Sequence, residues 1–305
     1  MEKKLKNIHI IINPAAGKGE SSLAIINTSL KEAGIKWDAF ITHQKGDAIL
    51  LAKAAVKEGV DALAVFGGDG TLMEAANGLI GSDLPLIILP GGSANVMAKE
   101  LGIPLDLKEA CVLFSHHLLE TKAIDVGHFN GHYFMVGISI GFGADLVKGA
   151  NRETKNRIGI LAYFFSAAAA LKKLKLTDYQ LKIDGKDYTV SGLTCFISNA
   201  GNLGFTRISL DKHIDVSDGL LDVVIVRKAN LSLFKLMAMT LLKGERPDNF
   251  EIVRNWQGQD ISVSTNSPQM VQCDGEVLDK IPLHIKVIPN AIQIFVPRKE
   301  HQPHE

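Results

Sequence analysis

The sequence predicts an α/β protein, an N-terminal parallel α/β sandwich followed by a C-terminal antiparallel β-sandwich domain. Up to Leu118, short apolar runs alternate with segments of helical periodicity, which favours a parallel sheet covered on both faces. Beyond it strand-like runs dominate, and Asn130-Gly131 and Asp184-Gly185 are typical of two-residue hairpin turns. No low-complexity linker separates the halves, so we expect two closely packed domains, 1–125 and 126–305, with a cleft between them.

The first half consists of four predicted strand–loop–helix units. Its strands are short apolar runs, as expected of strands buried on both faces. They are Ile8–Ile12, Trp37–Thr42, Ala62–Phe66 and Leu86–Leu89. Three of the following helices end at a glycine, a common residue at helix C-termini: Gly34, Gly59 and Gly102. A further helix is expected at Asp106–Leu118.

The second half is predicted to be mostly antiparallel β-structure. Besides the two hairpins, strand-like runs occur at Thr194–Ser198, Leu221–Val226, Ile261–Ser264, Met270–Cys273, Leu283–Val287 and Ile292–Val296. Two helices are expected among these strands, near Ile158–Leu174 and Leu231–Leu242.

The amino-acid composition argues against a nucleic-acid-binding, a secreted or a membrane-spanning protein. With 305 residues, 46% hydrophobic and 22% charged, the chain has the make-up of a soluble globular protein. Lys plus Arg equals Asp plus Glu, 33 each, so no overall positive field favours nucleic acid. The three cysteines show no zinc or redox spacing, which favours a reducing cytoplasm. The N-terminal apolar run is too short for a signal peptide, and no run reaches the roughly 18 apolar residues needed to span a bilayer.

The stretch from Asp61 to Leu79 gives the strongest functional signal. The apolar strand runs into Gly-Gly-Asp-Gly-Thr, and apolar residues then recur at helical spacing, with Thr71 as the expected N-cap. A strand that turns sharply into a helix points backbone N–H groups and the positive helix end at an anion, usually a phosphate. Asp69 would repel that phosphate unless a cation such as Mg²⁺ lies between them. The stretch therefore predicts a nucleotide-phosphate site with a metal ion.

Two further glycine-rich loops follow neighbouring strands. Asn13–Gly19, with the sequence NPAAGKG, lacks the spacing of a Walker A loop and is a weak signal by itself. Pro90–Asn95, with the sequence PGGSAN, offers the Ser93 hydroxyl as a helix cap, as a ligand contact or as both. Because ligands of parallel sheets gather at the carboxyl ends of the strands, we expect these loops to meet there.

A late Asp-Gly-Glu motif, Asp274–Glu276, follows a strand-like run. Asp-Gly is a favoured hairpin turn, so the local pattern alone favours a turn over a catalytic role. If the strand continued through the motif, its period of two would place Asp274 and Glu276 on the same side.

Four segments, taken in order, resemble the bacterial diacylglycerol kinase-like lipid kinase family: NPAAGKG, GGDGTLMEAANGL, LPGGSANVMAKELGIP and VQCDGE. The resemblance runs from near the first strand to the last, and NAD kinases and phosphofructokinases share the GGDGT signature. It implies that ATP and Mg²⁺ are the cofactors and that a lipid hydroxyl is the acceptor. The ATP contacts that it implies are Asn13, Pro14, Ala15, Ala16, Gly17, Thr42, Gly67, Gly68, Asp69, Gly70, Thr71, Leu72, Met73 and Ser93.

The same resemblance implies roles for acidic residues. Asp69 would organise Mg²⁺ and the phosphates, and the general base would lie in the late motif, where either Asp274 or Glu276 qualifies. We favour Asp274 slightly, because the glycine after it lets the backbone bring it close to a ligand. Asp125 resembles an acidic position that faces the family's cleft. A second, non-catalytic Mg²⁺ is implied at Asp215, Asp218 and Leu220.

The chain departs from the family pattern at two positions of one loop. Ser93 stands where many members have Thr, which keeps the hydroxyl. Val96 stands where many have Asp, which removes a carboxylate and leaves open what this loop contributes to metal or substrate.

The sequence is thus interpreted as an ATP- and Mg²⁺-dependent kinase of a lipid hydroxyl, of diacylglycerol or a similar lipid. One alternative is a soluble nucleotide kinase of the NAD kinase type, but the Asn-Glu dipeptide that this resemblance leads one to expect occurs nowhere in the chain. The other is a catalytically silent lipid- or nucleotide-binding regulator, which the presence of Asp69, Asp274 and Glu276 disfavours. The acceptor lipid stays open, as does a homodimer.

A basic and apolar segment, Asn151–Lys175, is the expected contact with the membrane. Three basic residues precede its apolar centre and three follow it, and Tyr163, Phe164 and Phe165 point in different directions around a helix. A core helix with basic ends is an equal alternative. We expect the segment to line the acceptor pocket and to rest on the membrane surface without spanning it.

Overall fold

The computed structural model describes residues 5–16, 21–115, 118–141, 175–201, 214–228, 253–274, 276–278 and 281–298. The chain divides into two compact units, Met1–Asp125 with Pro289–Glu305, and Val126–Ile288. The helices predicted near Ile158–Leu174 and Leu231–Leu242 lie outside the described residues, as does Asn151–Lys175 up to residue 174. The predicted second domain, 126–305, differs from this division because residues 289–305 group with the first unit.

The first unit is a parallel sheet with helices. Its strands are β1 (Asn7–Ile12), β2 (Lys36–Ile41), β3 (Ala62–Gly67) and β4 (Leu86–Pro90). Its helices are α1 (Ser21–Glu32), α2 (Asp47–Glu58), α3 (Asp69–Leu79), α4 (Val96–Glu100) and α5 (Leu107–Ser115). The strand order is β2-β1-β3-β4, and all these pairs are parallel.

Burial explains why these runs are apolar. Every residue of β3 and β4 is buried, and so is all of β1 after Asn7, whereas the edge strand β2 is partly exposed. One core cluster joins the sheet to α1 and α5 through residues such as Ile10, Ile26 and Cys111. Helices α2 and α3 pack together. The predicted parallel α/β fold is therefore confirmed.

Helix α3 begins three residues earlier than predicted. Gly68 is its N-cap, in an extended conformation, and no side chain caps this end. The N–H of Leu72 donates to the Gly68 carbonyl oxygen at 3.0 Å, so the first helical turn closes inside the glycine motif. Thr71 consequently lies within the helix, and its predicted N-cap role is wrong. Nor is Ser93 the N-cap of α4, because Asn95, with φ 47°, occupies that position.

The strands of the second unit form two antiparallel sheets. Two long strands, Leu119–Phe129 and Leu283–Pro297, have residues in both units. The strands that follow β4 in the chain are β5 (Leu119–Phe129), β6 (His132–Phe134), β7 (Gly137–Ile140), β8 (Thr177–Ile183), β9 (Lys186–Gly192), β10 (Thr194–Ser198), β11 (Leu221–Val226), β12 (Val253–Gly258), β13 (Asp260–Thr265), β14 (Val271–Cys273), β15 (Glu276–Leu278) and β16 (Leu283–Pro297). One sheet has the order β12-β11-β10-β7-β14-β15, and in the other β13 lies between β16 and β8, with β9 outside β8. Side chains of both sheets form one buried cluster, among them Ile138, Leu181 and Ile285, which confirms the predicted sandwich.

Both predicted hairpins are present. Phe129 pairs with His132 across Asn130-Gly131, and Ile183 pairs with Lys186 across Asp184-Gly185. In each turn both residues have positive φ, 47° and 80° in the first and 47° and 81° in the second. This is the type I′ conformation, which Asn-Gly and Asp-Gly favour.

One long strand replaces two predicted ones. β16 runs without interruption from Leu283 to Pro297, where two strands were expected, Leu283–Val287 and Ile292–Val296. Asn290 adopts a positive φ of 52°, which asparagine tolerates better than most residues, and its N–H donates to Asp125 Oδ1 at 2.8 Å. Asp125 is fully buried, and its carboxylate supports β16 at the residue with positive φ. The resemblance of Asp125 to an acidic position that faces the family's cleft stays a prediction.

The three cysteine thiols lie in the interior of the protein. Cys111, Cys195 and Cys273 are all buried and unbridged. Burial raises the pKa of the Cys111 thiol to about 11, and it also raises the pKa of the other two thiols. None of the helices that the structure describes is both long enough and apolar enough to cross a bilayer.

Close packing between α2 and α3 leads to a stability prediction. A Cβ added at Gly78 would lie 2.6 Å from the Ile49 carbonyl oxygen and 2.7 Å from Ala52 Cβ. Gly78→Ala should therefore lower stability by about 1–3 kcal/mol, although alanine usually stabilises a helix. Gly70→Ala in the same helix is the control, because a Cβ there meets nothing within 4 Å. Urea unfolding checks this, and equal midpoints for the two variants would contradict it.

Candidate active site

The loops that follow β1, β2, β3 and β4 meet through direct hydrogen bonds. Asn13 joins the first loop to the third, because its N–H donates to the Phe66 carbonyl oxygen at 3.0 Å and its Nδ2 donates to Thr71 Oγ1 at 2.8 Å. Its Oδ1 also accepts the N–H of Ala15 at 2.9 Å, which sets the turn of the first loop. The predicted meeting of loops at the carboxyl ends of the strands is thus confirmed within the first unit.

The third and fourth loops approach each other closely because both contain glycines. A Cβ on Gly92 would lie 2.5 Å from Gly68 Cα, and the Gly91 N–H donates to the Gly67 carbonyl oxygen at 2.9 Å. Asn95 then closes the fourth loop, since its Oδ1 accepts the N–H of Gly92 and its Nδ2 donates to the Gly92 carbonyl oxygen.

Asp69 links the glycine motif to helix α4. Its Oδ1 accepts the N–H of Val96 at 2.7 Å, and the residue is only partly buried. Position 96 therefore contributes a main-chain N–H to this contact whatever its side chain is. The valine side chain itself is 7% exposed and belongs to the core.

The second loop, Thr42–Gly46, is held by two carboxylates. Asp47 Oδ2 accepts the N–H groups of His43 and Gln44. These bonds lower the pKa of the Asp47 carboxyl from its usual value, and the bond from His43 has the larger effect. Glu74 of α3 accepts the N–H of Gly46 at 2.9 Å and so connects the glycine-motif helix to this loop. Nothing in the sequence singles out Glu74, because a lone glutamate beside a helix's apolar positions looks like an ordinary surface residue.

The remaining predicted nucleotide residues occupy different environments. Pro14, Ala15, Gly70 and Ser93 are exposed, whereas Ala16, Met73 and Gly68 are partly buried. Leu72 is 4% exposed and Thr42 is 8% exposed, so a ligand would meet mainly their main chain. Gly17 lies outside the described residues.

The N-terminal end of α3 suits a phosphate. The first N–H groups of a helix have no partner within the helix, and here no side chain caps them. These N–H groups lie at the loops that Asn13, Gly68 and Gly92 hold together. The positive end of the helix dipole adds to their attraction for a phosphate. Mg²⁺ is usually held by one or two carboxylates together with substrate phosphates, and Asp69 offers such a carboxylate beside these N–H groups.

The second unit holds the other acidic candidates. Asp215 Oδ1 accepts the N–H and the hydroxyl of Ser217, and Asp218 Oδ1 accepts the N–H of Leu220 at 2.9 Å. Both carboxylates are exposed and belong to the turn before β11. No group of three or more His, Cys, Asp or Glu side chains suited to a metal occurs in the part of the chain that the structure describes. The second Mg²⁺ site stays a prediction.

Asp274 and Glu276 differ sharply in environment. The strand does not continue through the motif, because Asp274 has a φ of 43° and Cys273 pairs with Glu276 across a two-residue turn. The Asp274 carboxylate accepts three consecutive main-chain N–H groups, those of Met135 at 3.0 Å, Val136 at 3.2 Å and Gly137 at 2.9 Å. Glu276 is exposed on β15. The local turn interpretation of the motif is confirmed, and it coexists with any catalytic role.

Glu74 leads to a testable prediction about the second loop. Glu74→Ala removes the acceptor for the Gly46 N–H and should weaken ATP binding about threefold to tenfold by loosening the loop that carries Thr42. Glu74→Gln keeps an acceptor oxygen and should stay closer to wild type. Titration with a fluorescent ATP analogue measures this, and identical affinities for all three proteins would refute the role.

Two family matches cover most of the chain. Residues 7–129 match the diacylglycerol kinase catalytic domain, and residues 136–296 match the YegS C-terminal NAD kinase beta sandwich-like domain. The boundary between the matches falls close to the change from parallel to antiparallel structure.

Individual relatives agree with these matches. An uncharacterized protein of Synechocystis is 30% identical over 310 residues, covering 96% of this chain and 71% of that protein. A diacylglycerol kinase of Bacillus subtilis is 28% identical, with 97% of this chain and 98% of the relative covered. A solved structure from Bacillus anthracis, named as a candidate diacylglycerol kinase, has a TM-score of 0.83 at 25% identity and covers 98% of this chain and 99% of its own. The chain therefore belongs to the diacylglycerol kinase family of lipid kinases.

Proposed function

We propose that this lipid kinase uses ATP and Mg²⁺ to phosphorylate the hydroxyl of diacylglycerol or a similar lipid. The observation that carries the proposal is the joining of four strand-end loops around the uncapped N-terminus of α3. A triphosphate is a suitable ligand for this arrangement, because main-chain N–H groups and glycines allow close approach.

Phosphoryl transfer requires mainly positioning and neutralisation of charge. Asn13, Gly68 and Gly92 hold the loops in one geometry before ATP arrives, which reduces the ordering that binding requires. Asp69 would hold Mg²⁺ together with the ATP phosphates, and the ion, when bound, neutralises negative charge that develops during transfer. The second unit would supply the acceptor pocket.

The acceptor hydroxyl must lose a proton, and we propose that Glu276 accepts it. Sequence alone slightly favoured Asp274, but that carboxylate already accepts three main-chain N–H groups. Glu276 is the more exposed acid of the motif and therefore the better placed to meet a substrate.

We further propose that the protein works in the cytoplasm and meets its lipid at the membrane surface, through the segment Asn151–Lys175. A homodimer remains a proposal as well. Sedimentation with anionic vesicles tests the proposed membrane contact, because replacing Lys172, Lys173 and Lys175 by Gln should reduce binding to the vesicles.

The central test is transfer of label from γ-labelled ATP in the presence of Mg²⁺. Diacylglycerol, a long-chain base, phosphatidylglycerol and NAD are offered separately, and the products are separated by chromatography. The proposal expects label in one lipid class. Label in NAD would favour a nucleotide kinase, and ATP binding without label in any acceptor would favour a silent regulator.

Asp69 provides the sharpest test of the nucleotide site. Asp69→Asn keeps an oxygen for the Val96 N–H but removes the negative charge, whereas Asp69→Ala removes both. If the charge serves Mg²⁺, both variants should lose about 10²-fold or more in kcat. Asp38→Asn, on the exposed part of the edge strand β2, is the matched control. Near-wild-type turnover of Asp69→Asn would limit Asp69 to holding the loop.

A further inference from the structure

The main chain of Met135–Gly137 forms an anion-binding concavity, which is occupied by a side chain of the protein itself. Three successive N–H groups converge on one carboxylate, that of Asp274, at 2.9–3.2 Å. Such runs of converging N–H groups are a recurring way to bind anions in proteins. The segment and its bound carboxylate are 137 to 139 residues apart in sequence, so the contact joins distant parts of the second unit.

The carbonyl side of the same segment is held equally firmly. Asn199 Nδ2 donates to the Met135 carbonyl oxygen at 3.1 Å, and the Asn199 N–H donates to the Val136 carbonyl oxygen at 2.9 Å. The Ala200 N–H also donates to the Val136 carbonyl oxygen, at 3.2 Å. Asn199 is 1% exposed, so this support is internal to the unit.

A second hydrogen bond joins the same two segments, with Asp274 as the donor. The Asp274 N–H donates to the Gly137 carbonyl oxygen at 3.1 Å, so Asp274 is joined to the segment through both its side chain and its main chain. Glu276 follows two residues later, opposite Cys273 in the register of β14 and β15. Whatever holds Asp274 therefore determines where the start of β15 lies.

We infer that Asp274 is a positioning residue, whose carboxylate fixes the turn that presents Glu276 to the acceptor hydroxyl. This inference rests on the proposed function for its catalytic consequence, though not for the contact itself. Charged hydrogen bonds are the stronger kind, and three of them on one carboxylate restrain the turn more than Asp-Gly propensity alone would.

Asp184 supplies a matched control within the same unit. It also begins an Asp-Gly turn, with a φ of 47°, and its Oδ1 accepts the N–H groups of Gln259 and Asp260 at 3.0 and 2.9 Å. Asp184→Asn thus makes the same chemical change in the same kind of turn, away from Glu276 in sequence. Asparagine suits a positive φ, so each variant tests the carboxylate while the turn is retained.

The experiment compares wild type with Asp274→Asn, Asp184→Asn and Glu276→Gln by amide hydrogen exchange and by steady-state kinetics. Asp274→Asn should speed exchange at Met135–Gly137 and in the Val271–Leu278 hairpin by about tenfold or more. Asp184→Asn should speed exchange only near Gln259, and Glu276→Gln should change none of these amides.

The kinetics separate a positioning residue from a proton acceptor. Asp274→Asn should lower kcat while the rate still rises with pH as in wild type, whereas Glu276→Gln should lose kcat by about 10²–10⁴-fold together with that rise. Asp184→Asn should keep wild-type kcat. Unchanged exchange in Asp274→Asn would overturn the inference, and so would loss of the pH-dependent rise in Asp274→Asn with its retention in Glu276→Gln.

The two proposals can fail separately. Absence of labelled lipid with wild-type protein would defeat the proposed function, while the exchange measurements, which need no lipid, would still show whether Asp274 holds the hairpin. If exchange at Met135–Gly137 increases but the hairpin amides do not respond, the carboxylate stabilises only its own contact, and the positioning role is wrong.

Discussion

Close main-chain contact between Gly68 and Gly92 is the constraint on which the first unit's site depends. Only residues without a Cβ allow the third and fourth loops to approach this far, since a Cβ on Gly92 would lie 2.5 Å from Gly68 Cα. The approach lets Asp69 reach the Val96 N–H and keeps the N-terminus of α3 beside the fourth loop. Asn13 and Glu74 then connect the first and second loops to the same helix.

Carboxylates that accept main-chain N–H groups recur throughout this protein. Asp69, Glu74 and Asp274 each connect a loop or turn to a distant segment, and Asp125 accepts the N–H of Asn290 within β16. An ionised carboxylate can satisfy several N–H groups that irregular main chain leaves without a partner, which explains its use wherever the chain departs from helix or strand. An acidic residue in a family motif can therefore have a structural task alongside a chemical one.

The family resemblance and the fold agree because both follow from the same local patterns. Apolar runs of five or six residues, glycines after strands and Asp-Gly or Asn-Gly turns depend on nearest neighbours, and the structure contains the strands and hairpins that they predict. The errors arose where a distant residue decided the outcome. Thr71 lies inside α3, with its hydroxyl accepting a bond from Asn13, and β16 continues through Asn290 because Asp125 accepts that residue's N–H.

Local sequence patterns were enough to predict the α/β class, the parallel and antiparallel halves, the loops that meet at the strand ends and the membership in a lipid kinase family. Each rests on periodicity, turn chemistry or a contiguous motif, and these are properties of short segments. Three features became visible only in the folded chain: residues 289–305 group with the first unit, Glu74 holds the second loop, and the main chain of Met135–Gly137 binds Asp274. These features join residues far apart in sequence, 28 positions for Glu74 and Gly46 and 139 for Asp274 and Met135, and no local pattern encodes such a contact.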